Sequence, residues 1–309
     1  GSILLPAMTA QGFPKRFGAG VITTSGALGI LIPPSIVMVM YAVATNTSIG
    51  QLFIAGVIPG IVLASMLGGV TWYRARKNDY PRLPRADFKT LLRTFKDSMW
   101  GLLLIIIVIG GIYSGMFTPT EAAAMSAVYA FVVSVFVYKD MTLRQVPKVL
   151  LDSANMSAML LFIIANAVLF SFLMTNENIP QAMAQWMIDQ NLGVVLFLLG
   201  VNVLLLLAGN VMEPSSITLI MAPILFPIAV KLGIDPVHFG IMMTVNMEVG
   251  MCHPPVGLNL FVASGITHMG ITELTIAVWP WLLTMLVFLA LVTYWPTLSL
   301  WLPRMLGMM

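Results

Sequence analysis

Long apolar stretches alternate with short polar segments along most of the chain. The stretches 100–117, 122–138, 157–174, 192–208 and 276–294 are each close to the ~20 residues that an α-helix needs to cross a bilayer. Of the 309 residues, 59% are hydrophobic and 9% are charged, a balance that a water-soluble fold cannot hide in its core. The pattern therefore predicts an all-α integral membrane protein with several membrane-spanning helices.

Two apolar stretches are interrupted by a pair of prolines. Residues 29–35 are GILIPPS, and residues 250–257 are GMCHPPVG. Each pair removes two backbone donors and clashes with the preceding turn, so we expect each helix to break there. A break leaves carbonyl oxygens that can coordinate a hard cation, and the half-helix that follows offers its N–H groups to an anion. An ordinary proline kink, patched by neighbouring helices, is the alternative.

The two breaks belong to a weak internal repeat with an offset of 221 positions. Gly12 aligns with Gly233 and Thr23 with Thr244, while both proline pairs fall in register. The alternative is a chance alignment, because identity is low.

The basic segment 74–96 holds eight Lys and Arg residues and is therefore predicted to be cytoplasmic. If 192–232 is a hairpin that enters and leaves on the outer side, 13 of the 15 Lys and Arg residues are cytoplasmic, and the second copy is inverted.

Inverted repeats with helices broken at matching positions are typical of secondary transporters, whose sites lie where the breaks meet. Two other classes of protein fit this pattern less well. A structural or assembly subunit of a membrane complex would not need two broken helices in register. An intramembrane hydrolase would need a nucleophile with its base or a metal motif such as HExxH, which the sequence lacks. The sequence thus favours a transporter over an enzyme.

Three acidic residues lie in sequence of membrane depth, where charge is costly and usually functional. Glu121 follows Thr118 and Pro119 in the pattern of a capping box, which favours a structural role. Glu213 belongs to AGNVMEPSSIT, a polar segment between two apolar arms. We predict that it is the tip of a re-entrant hairpin offering oxygen ligands to a hard cation, the alternative being an extramembrane turn. Glu248 either joins an ion site or caps local charge.

The remaining polar features carry weaker signals. His253 lies at the second break and is a candidate for substrate contact, although a structural hydrogen bond is the more common role. Ser25 and Ser35 flank the first break, but serines in membrane helices often bond to their own carbonyls. Residues 88–96 alternate apolar and basic side chains in a pattern that predicts a helix lying along the inner membrane surface.

Four blocks of the sequence carry a family resemblance: GILIPPSIVMVMYAVATNTSIGQLFIAGVIPG, TPTEAAA, AGNVMEPSSITLIMAPILFPIA and GMCHPPVGLNLFVASGI. They resemble the large membrane subunit of tripartite ATP-independent periplasmic (TRAP) transporters, within the wider ion transporter superfamily. The resemblance implies a bacterial inner-membrane protein that imports an organic acid with sodium ions by an elevator mechanism. It also implies two partners, a periplasmic substrate-binding protein and a small membrane subunit of the Q type. C4-dicarboxylates, sialic acid and other acids remain candidate substrates, with a slight preference for sialic acid.

The resemblance also implies the positions of the sites. One sodium site would lie between the hairpin tip and the second break, and another would combine the first break with a first hairpin tip. The implied sodium ligands are Asn210, Glu213, Ser215, Gly250, Cys252 and Pro254 for the former, and Gly29, Ile32, Pro33 and Ser35 for the latter. The candidate substrate contacts are Ser25, Ser35, Ser216, His253 and Pro255.

The expected organisation follows the two repeats. Transport elements of the first repeat occupy 1–73, a basic interfacial arm 74–97 and scaffold helices 98–176. A periplasmic interfacial segment is expected at 177–191, transport elements of the second repeat at 192–296 and a C-terminal tail at 297–309. Because the repeat aligns residue 1 with residue 222, we expect a missing N-terminal part of the same subunit, either fused, separate or lost.

Overall fold

A computed structural model describes residues 1, 4–82, 86–178, 182, 185–186, 193–210, 212–254 and 257–308. The chain divides into two compact units, one formed by residues 1–81 and 163–309 and the other by residues 82–162. The described residues form helices and no strands, and six helices are long and apolar enough to span a membrane. The all-α membrane fold predicted from the sequence is confirmed.

The first unit is built from the helices of both repeats. Its helices before the second unit are α1 (Leu4–Ala10), α2 (Lys15–Ser25), α3 (Ile36–Thr45) and α4 (Ile49–Lys77), and a 3₁₀ turn, Gly26–Ile30, follows α2. The later ones are α8 (Val194–Gly209), α9 (Pro214–Lys231), α10 (Pro236–Cys252), α11 (Leu258–Thr267), α12 (Ile271–Tyr294) and α13 (Thr297–Met305).

The internal repeat is visible in the helix boundaries. The starts of α2 and α10 are 221 positions apart, whereas the starts of α3 and α11, and of α4 and α12, are 222 apart. The second break therefore contains one extra residue, so pairings after the break shift by one position from the sequence alignment. Gly12 and Gly233 share a positive φ, of 89° and 80°, which glycine adopts without steric cost.

Two contacts establish that the repeats are inverted. Arg16 Nε, at the start of α2, lies 2.6 Å from Glu273 Oε1 at the start of α12. His238 Nε2, near the start of α10, lies 3.3 Å from the carbonyl oxygen of Thr293 at the end of α12. Helices α2 and α12 therefore start at the same end of the unit, and α10 starts at the opposite end. The two broken helices run in opposite directions, as predicted.

Helices α8 and α9 form the predicted hairpin. Phe197 stacks near Phe239, with ring centroids 6.4 Å apart, so α8 begins beside the start of α10. Helix α9 ends at Lys231, four residues before the cap of α10, and so returns to that same end. Although α9 is long enough to span a membrane, the outer ends of both arms lie at the same end of the first unit.

Helix α10 is the centre of the first unit. Nearly all its side chains are buried, so it shows no polar face, as expected for a helix enclosed by others. A Cβ atom at Gly240 would lie 2.5 Å from the ring of Tyr41, whose hydroxyl donates to the carbonyl oxygen of Pro236 at 2.7 Å. The glycine therefore permits α3 to approach the start of α10.

The second unit contains α5 (Phe88–Tyr113), α6 (Pro119–Val132) with a π-helical turn Val133–Val137, and the first part of α7 (Val146–Asn176). The predicted capping box at α6 is confirmed: Glu121 Oε2 accepts from the Thr118 N–H at 2.8 Å, and Thr118 Oγ1 accepts from the Glu121 N–H at 3.3 Å. Helices α5 and α7 begin well before the apolar stretches at 100 and 157, because amphipathic turns extend each helix beyond its fully apolar part.

Candidate functional site

The first break lies between the 3₁₀ turn and α3. Ser35 caps α3, because its hydroxyl oxygen accepts from the Met38 N–H at 3.4 Å while the hydroxyl donates to the carbonyl oxygen of Ile30. Pro33 is buried, whereas Ile32 is 46% exposed. A Cβ atom at Gly29 would have no described atom within 4 Å. The break therefore has a buried, hydrogen-bonded side at Ser35 and an open side at Gly29.

The second break follows Cys252, where α10 ends. The His253 N–H bonds to the Gly250 carbonyl oxygen at 3.2 Å, and the Gly257 N–H bonds to the His253 carbonyl oxygen at 3.1 Å. A Cβ atom at Gly257 would lie 2.6 Å from the Met251 oxygen and 2.7 Å from the His253 oxygen. Two carbonyl oxygens therefore converge here in a space that only glycine leaves free. Pro255, a predicted substrate contact, lies outside the described residues, whereas Pro254 is partly exposed.

The two broken helices contact each other. The carbonyl oxygen of Thr23, in the last turn of α2, accepts from Cys252 Sγ at 3.5 Å and from Asn259 Nδ2 at 3.3 Å. Cys252 is buried on the last turn of α10, and Asn259 is on the first turn of α11. The end of one broken helix is thus bonded to both sides of the other break, as expected for an inverted repeat. Ser25 is exposed and bonds to its own helix, to the Ile22 oxygen at 3.4 Å.

The hairpin tip lies against the second break. A Cβ atom at Gly209 would be 3.0 Å from the Cα atom of Gly250, so the two backbones are in direct contact. One residue further, Asn210 Oδ1 lies 3.1 Å from His253 Nδ1. Because an amide oxygen only accepts, His253 Nδ1 carries the proton in this bond. The structure therefore brings together Asn210 and Gly250, which the family resemblance assigns to one sodium site, and His253, a candidate substrate contact.

Glu213 caps the second arm of the hairpin. Its Oε1 accepts from the Ser215 N–H at 2.9 Å, and its Oε2 accepts from the Ser216 N–H at 2.9 Å and the Ser216 hydroxyl at 3.1 Å. Each carboxylate oxygen has two lone-pair directions, so capping leaves acceptor capacity for a cation. Ser215 is buried and Ser216 is partly exposed. Two of the predicted sodium ligands, Glu213 and Ser215, thus also form the N-terminus of α9.

Sequence reasoning missed a buried polar network behind the hairpin. Asn246 Nδ2 of α10 donates to Asn202 Oδ1 of α8 at 2.6 Å, and Asn202 Nδ2 donates to Thr293 Oγ1 at 2.9 Å. The Thr293 carbonyl oxygen in turn accepts from His238 Nε2 at 3.3 Å, and His238 Nδ1 lies 2.9 Å from Ser299 Oγ. The available signals were the single amide side chain in the otherwise apolar α8 and the several polar side chains in the buried α10.

Glu248 is fully buried on α10, and neither carboxylate oxygen has a hydrogen-bond partner among the described residues. The Asn246 Oδ1 atom shares this property, but side chains two positions apart do not face each other on a helix. A buried carboxylate without a partner is costly. Its two predicted roles, joining an ion site and capping local charge, both stay predictions.

Comparisons with known proteins identify the family. Residues 1–298 match the family model described as "Tripartite ATP-independent periplasmic transporter, DctM component". The chain is 70% identical to the "C4-dicarboxylate TRAP transporter large permease protein DctM" of Rhodobacter capsulatus, over 100% of this chain and 73% of that protein.

Two more distant relatives carry other substrate names. The chain is 38% identical to the "Isethionate TRAP transporter permease protein DctMQ" of Oleidesulfovibrio alaskensis, over 97% of this chain and 47% of that protein. It is 35% identical to the "Sialic acid TRAP transporter large permease protein SiaM" of Vibrio cholerae, over 99% of this chain and 71% of that protein. The chain therefore belongs to the DctM family of TRAP transporter large permeases, as a multi-pass protein of the inner membrane and not an enzyme.

Proposed function

We propose that this chain carries a C4-dicarboxylate across the inner membrane, together with sodium ions, after a periplasmic binding protein has delivered it. The observation that carries the proposal is the meeting of the hairpin tip with the second break at Gly209, Gly250 and His253. The C4-dicarboxylate class is proposed because the 70% identical relative bears that name, whereas the sialic acid relative is 35% identical. These identities argue against the slight preference for sialic acid that the sequence alone suggested.

The sodium proposal is supported by the type of atom at this place. The Met251 and His253 carbonyl oxygens converge beside Gly257, and Glu213 and Asn210 lie at the adjoining hairpin tip. Hard cations prefer such oxygen ligands. Among the described residues, no group of three or more His, Cys, Asp or Glu side chains could hold a metal ion, so carbonyl oxygens would have to supply much of the coordination.

Coupling between sodium and substrate follows from charge. A dicarboxylate at the hairpin tip would lie close to the negatively charged Glu213 carboxylate. The negative charges of substrate and Glu213 would repel each other strongly, because the site is away from bulk water. A sodium ion at the tip would neutralise that repulsion. The N–H groups of Ser215 and Ser216 at the start of α9 are already bonded to Glu213. Substrate contacts would therefore come from the side chains of Ser216 and His253, and the His253 ring is oriented by Asn210. An elevator motion of the first unit would move this site between the two sides.

The proposal is tested by counterflow of labelled succinate in proteoliposomes that contain the complete membrane component and the binding protein. We expect exchange with sodium present and loss of exchange when sodium is replaced by choline. Glu213→Gln should abolish sodium-dependent exchange while leaving assembly with the small subunit intact. Glu121→Gln is the matched control, because it also changes a capping glutamate at a helix start, and it should retain exchange.

Three outcomes separate the alternatives. Normal exchange by Glu213→Gln would refute the ion-site assignment. Exchange of sialic acid but not of succinate would refute the substrate class and keep sodium coupling. Assembly of a complex without sodium-dependent flux of any organic acid would favour the runner-up, a structural subunit without transport activity.

A further inference from the structure

The first turns of α5 have an unusual surface that transport does not explain. Helix α5 contains 26 residues and is therefore about 39 Å long, which exceeds the ~30 Å hydrocarbon core of a bilayer. Because its first turns also hold Lys89, Arg93 and Lys96, which are costly inside the bilayer core, these turns protrude from the membrane or lie along its surface. The exposed side chains of these turns decide between the two.

An apolar stripe runs along these turns. Phe88 is 77% exposed, Leu91 58%, Leu92 60% and Phe95 57%. At about 100° per residue, these four side chains fall within a sector of about 100° on the helix surface. Side chains of this size and exposure are unfavourable in water. The stripe therefore indicates that these turns lie on an apolar surface.

A basic row adjoins the stripe. Lys89, Arg93 and Lys96 follow the spacing i, i+4 and i+7, which places them on one side of the helix, and all three are exposed. Among the described residues, no carboxylate lies within salt-bridge distance of them, since the one ion pair found there joins Arg16 and Glu273. Three exposed cations beside an apolar stripe are complementary to a bilayer surface, where anionic head groups adjoin an apolar acyl region.

Aromatic residues mark where the membrane boundary meets α5. The Tyr138 hydroxyl donates to the Asp97 carbonyl oxygen at 2.8 Å, and the Tyr129 hydroxyl donates to the Trp100 carbonyl oxygen at 2.8 Å. Tyr and Trp are enriched at membrane–water interfaces. Residues 88–96 thus lie beyond the boundary, on the side that carries the basic segment predicted to be cytoplasmic.

We propose that the first turns of α5 bind anionic phospholipids of the cytoplasmic leaflet. The stripe Phe88, Leu91, Leu92 and Phe95 enters the acyl region, and Lys89, Arg93 and Lys96 contact the head-group phosphates. An anionic lipid is favoured over a protein partner because the charge is of one sign and borders a stripe of apolar side chains. The surface anchors the second unit at the inner leaflet and lies outside the transport site.

The test is native mass spectrometry of the complete membrane component with phosphatidylglycerol and phosphatidylcholine. The variant is Lys89→Gln with Arg93→Gln, and the matched control is Lys231→Gln with Arg304→Gln, which also removes one exposed Lys and one exposed Arg. Each charge near an anionic surface contributes about fivefold in affinity, so the variant should bind phosphatidylglycerol roughly 25-fold more weakly. The control should stay within about twofold of the parent protein.

A second variant separates charge from folding. Lys89→Arg with Arg93→Lys keeps both charges and should keep the affinity for phosphatidylglycerol. Raising the ionic strength should weaken binding to the parent protein, because salt screens exposed charges. Unchanged affinity of the Gln variant, equal loss in the control, or equal binding of phosphatidylcholine would each overturn the proposal. Loss of the small membrane subunit from the Gln variant, with lipid binding unchanged, would also overturn the proposal.

Discussion

Replacing Gly250 by alanine tests how closely the hairpin tip must approach the broken helix. The added Cβ atom would lie 3.0 Å from the Cα atom and 3.4 Å from the carbonyl carbon of Gly209. Carbon atoms in contact prefer about 3.5–4.0 Å. Both neighbours are backbone atoms and cannot rotate away, so α8 has to move by about 0.5–1 Å.

Overpacking of this kind costs about 1–3 kcal/mol, whereas the change from glycine to alanine inside a helix gains about 1 kcal/mol. The net effect is a loss of about 0–2 kcal/mol. At about 2–4 °C per kcal/mol for a unit of this size, the melting temperature should fall by a few degrees. Uptake should suffer more, because a functional site tolerates displacements of only about 0.5 Å. We expect at least a tenfold loss of sodium-dependent uptake.

The control for this experiment is Gly200→Ala on α8, the helix that Gly250 contacts. A Cβ atom at Gly200 would have no described atom within 4 Å, so the substitution should keep uptake and leave stability equal or slightly higher. Both variants are measured by counterflow and by thermal denaturation of the purified transporter. If Gly250→Ala matches Gly200→Ala in both measurements, the direct contact between hairpin tip and break has no functional role.

Three further predictions concern the interior of the first unit. Asn202→Ala should lower the free energy of unfolding by about 1–3 kcal/mol, because it leaves buried partners unsatisfied. In thermal denaturation, the double variant with Asn246→Ala should lose less stability than the two single variants added together. Additive losses would contradict the network. Glu248→Gln should keep or raise the melting temperature, since a neutral amide costs less to bury than a carboxylate; a large fall would mean that the carboxylate has a bound cation or another partner. Trp281→Phe should cost about 1 kcal/mol by removing the 2.9 Å hydrogen bond to Thr71, and an unchanged melting temperature would argue against it.

Much of the fold could be predicted because prolines, glycines and charges act locally. The proline pairs remove backbone donors wherever the chain goes, so both breaks could be located without tertiary information. The capping box at Thr118 and Glu121 is equally local. The hairpin was predicted from the polar segment between two apolar arms and from the internal repeat, because the Lys and Arg residues near the last loops are too few to decide the topology.

The missed features depend on contacts between distant residues. The extra residue in the second break cannot be seen in an alignment that relies on a few glycines and prolines. The Asn202–Asn246 bond joins residues 44 positions apart, and nothing local indicates which amide side chains meet. Glu213 was expected as an ion ligand from its polar surroundings, and its capping bonds depend on where α9 begins. Its predicted sodium role, like the other assigned ligands, stays a prediction.

The parallel course of α8 and α10 restricts how the substrate can be released. A hinged flap motion of the hairpin would separate Asn202 from Asn246 and leave both amide side chains without their hydrogen-bond partners. Each unsatisfied buried group costs about 1–3 kcal/mol. The flap motion would also pull apart the His253–Asn210 bond at the tip. Opening by a flap is therefore unfavourable, and under the proposed function we expect the hairpin and the broken helix to move together as one rigid body.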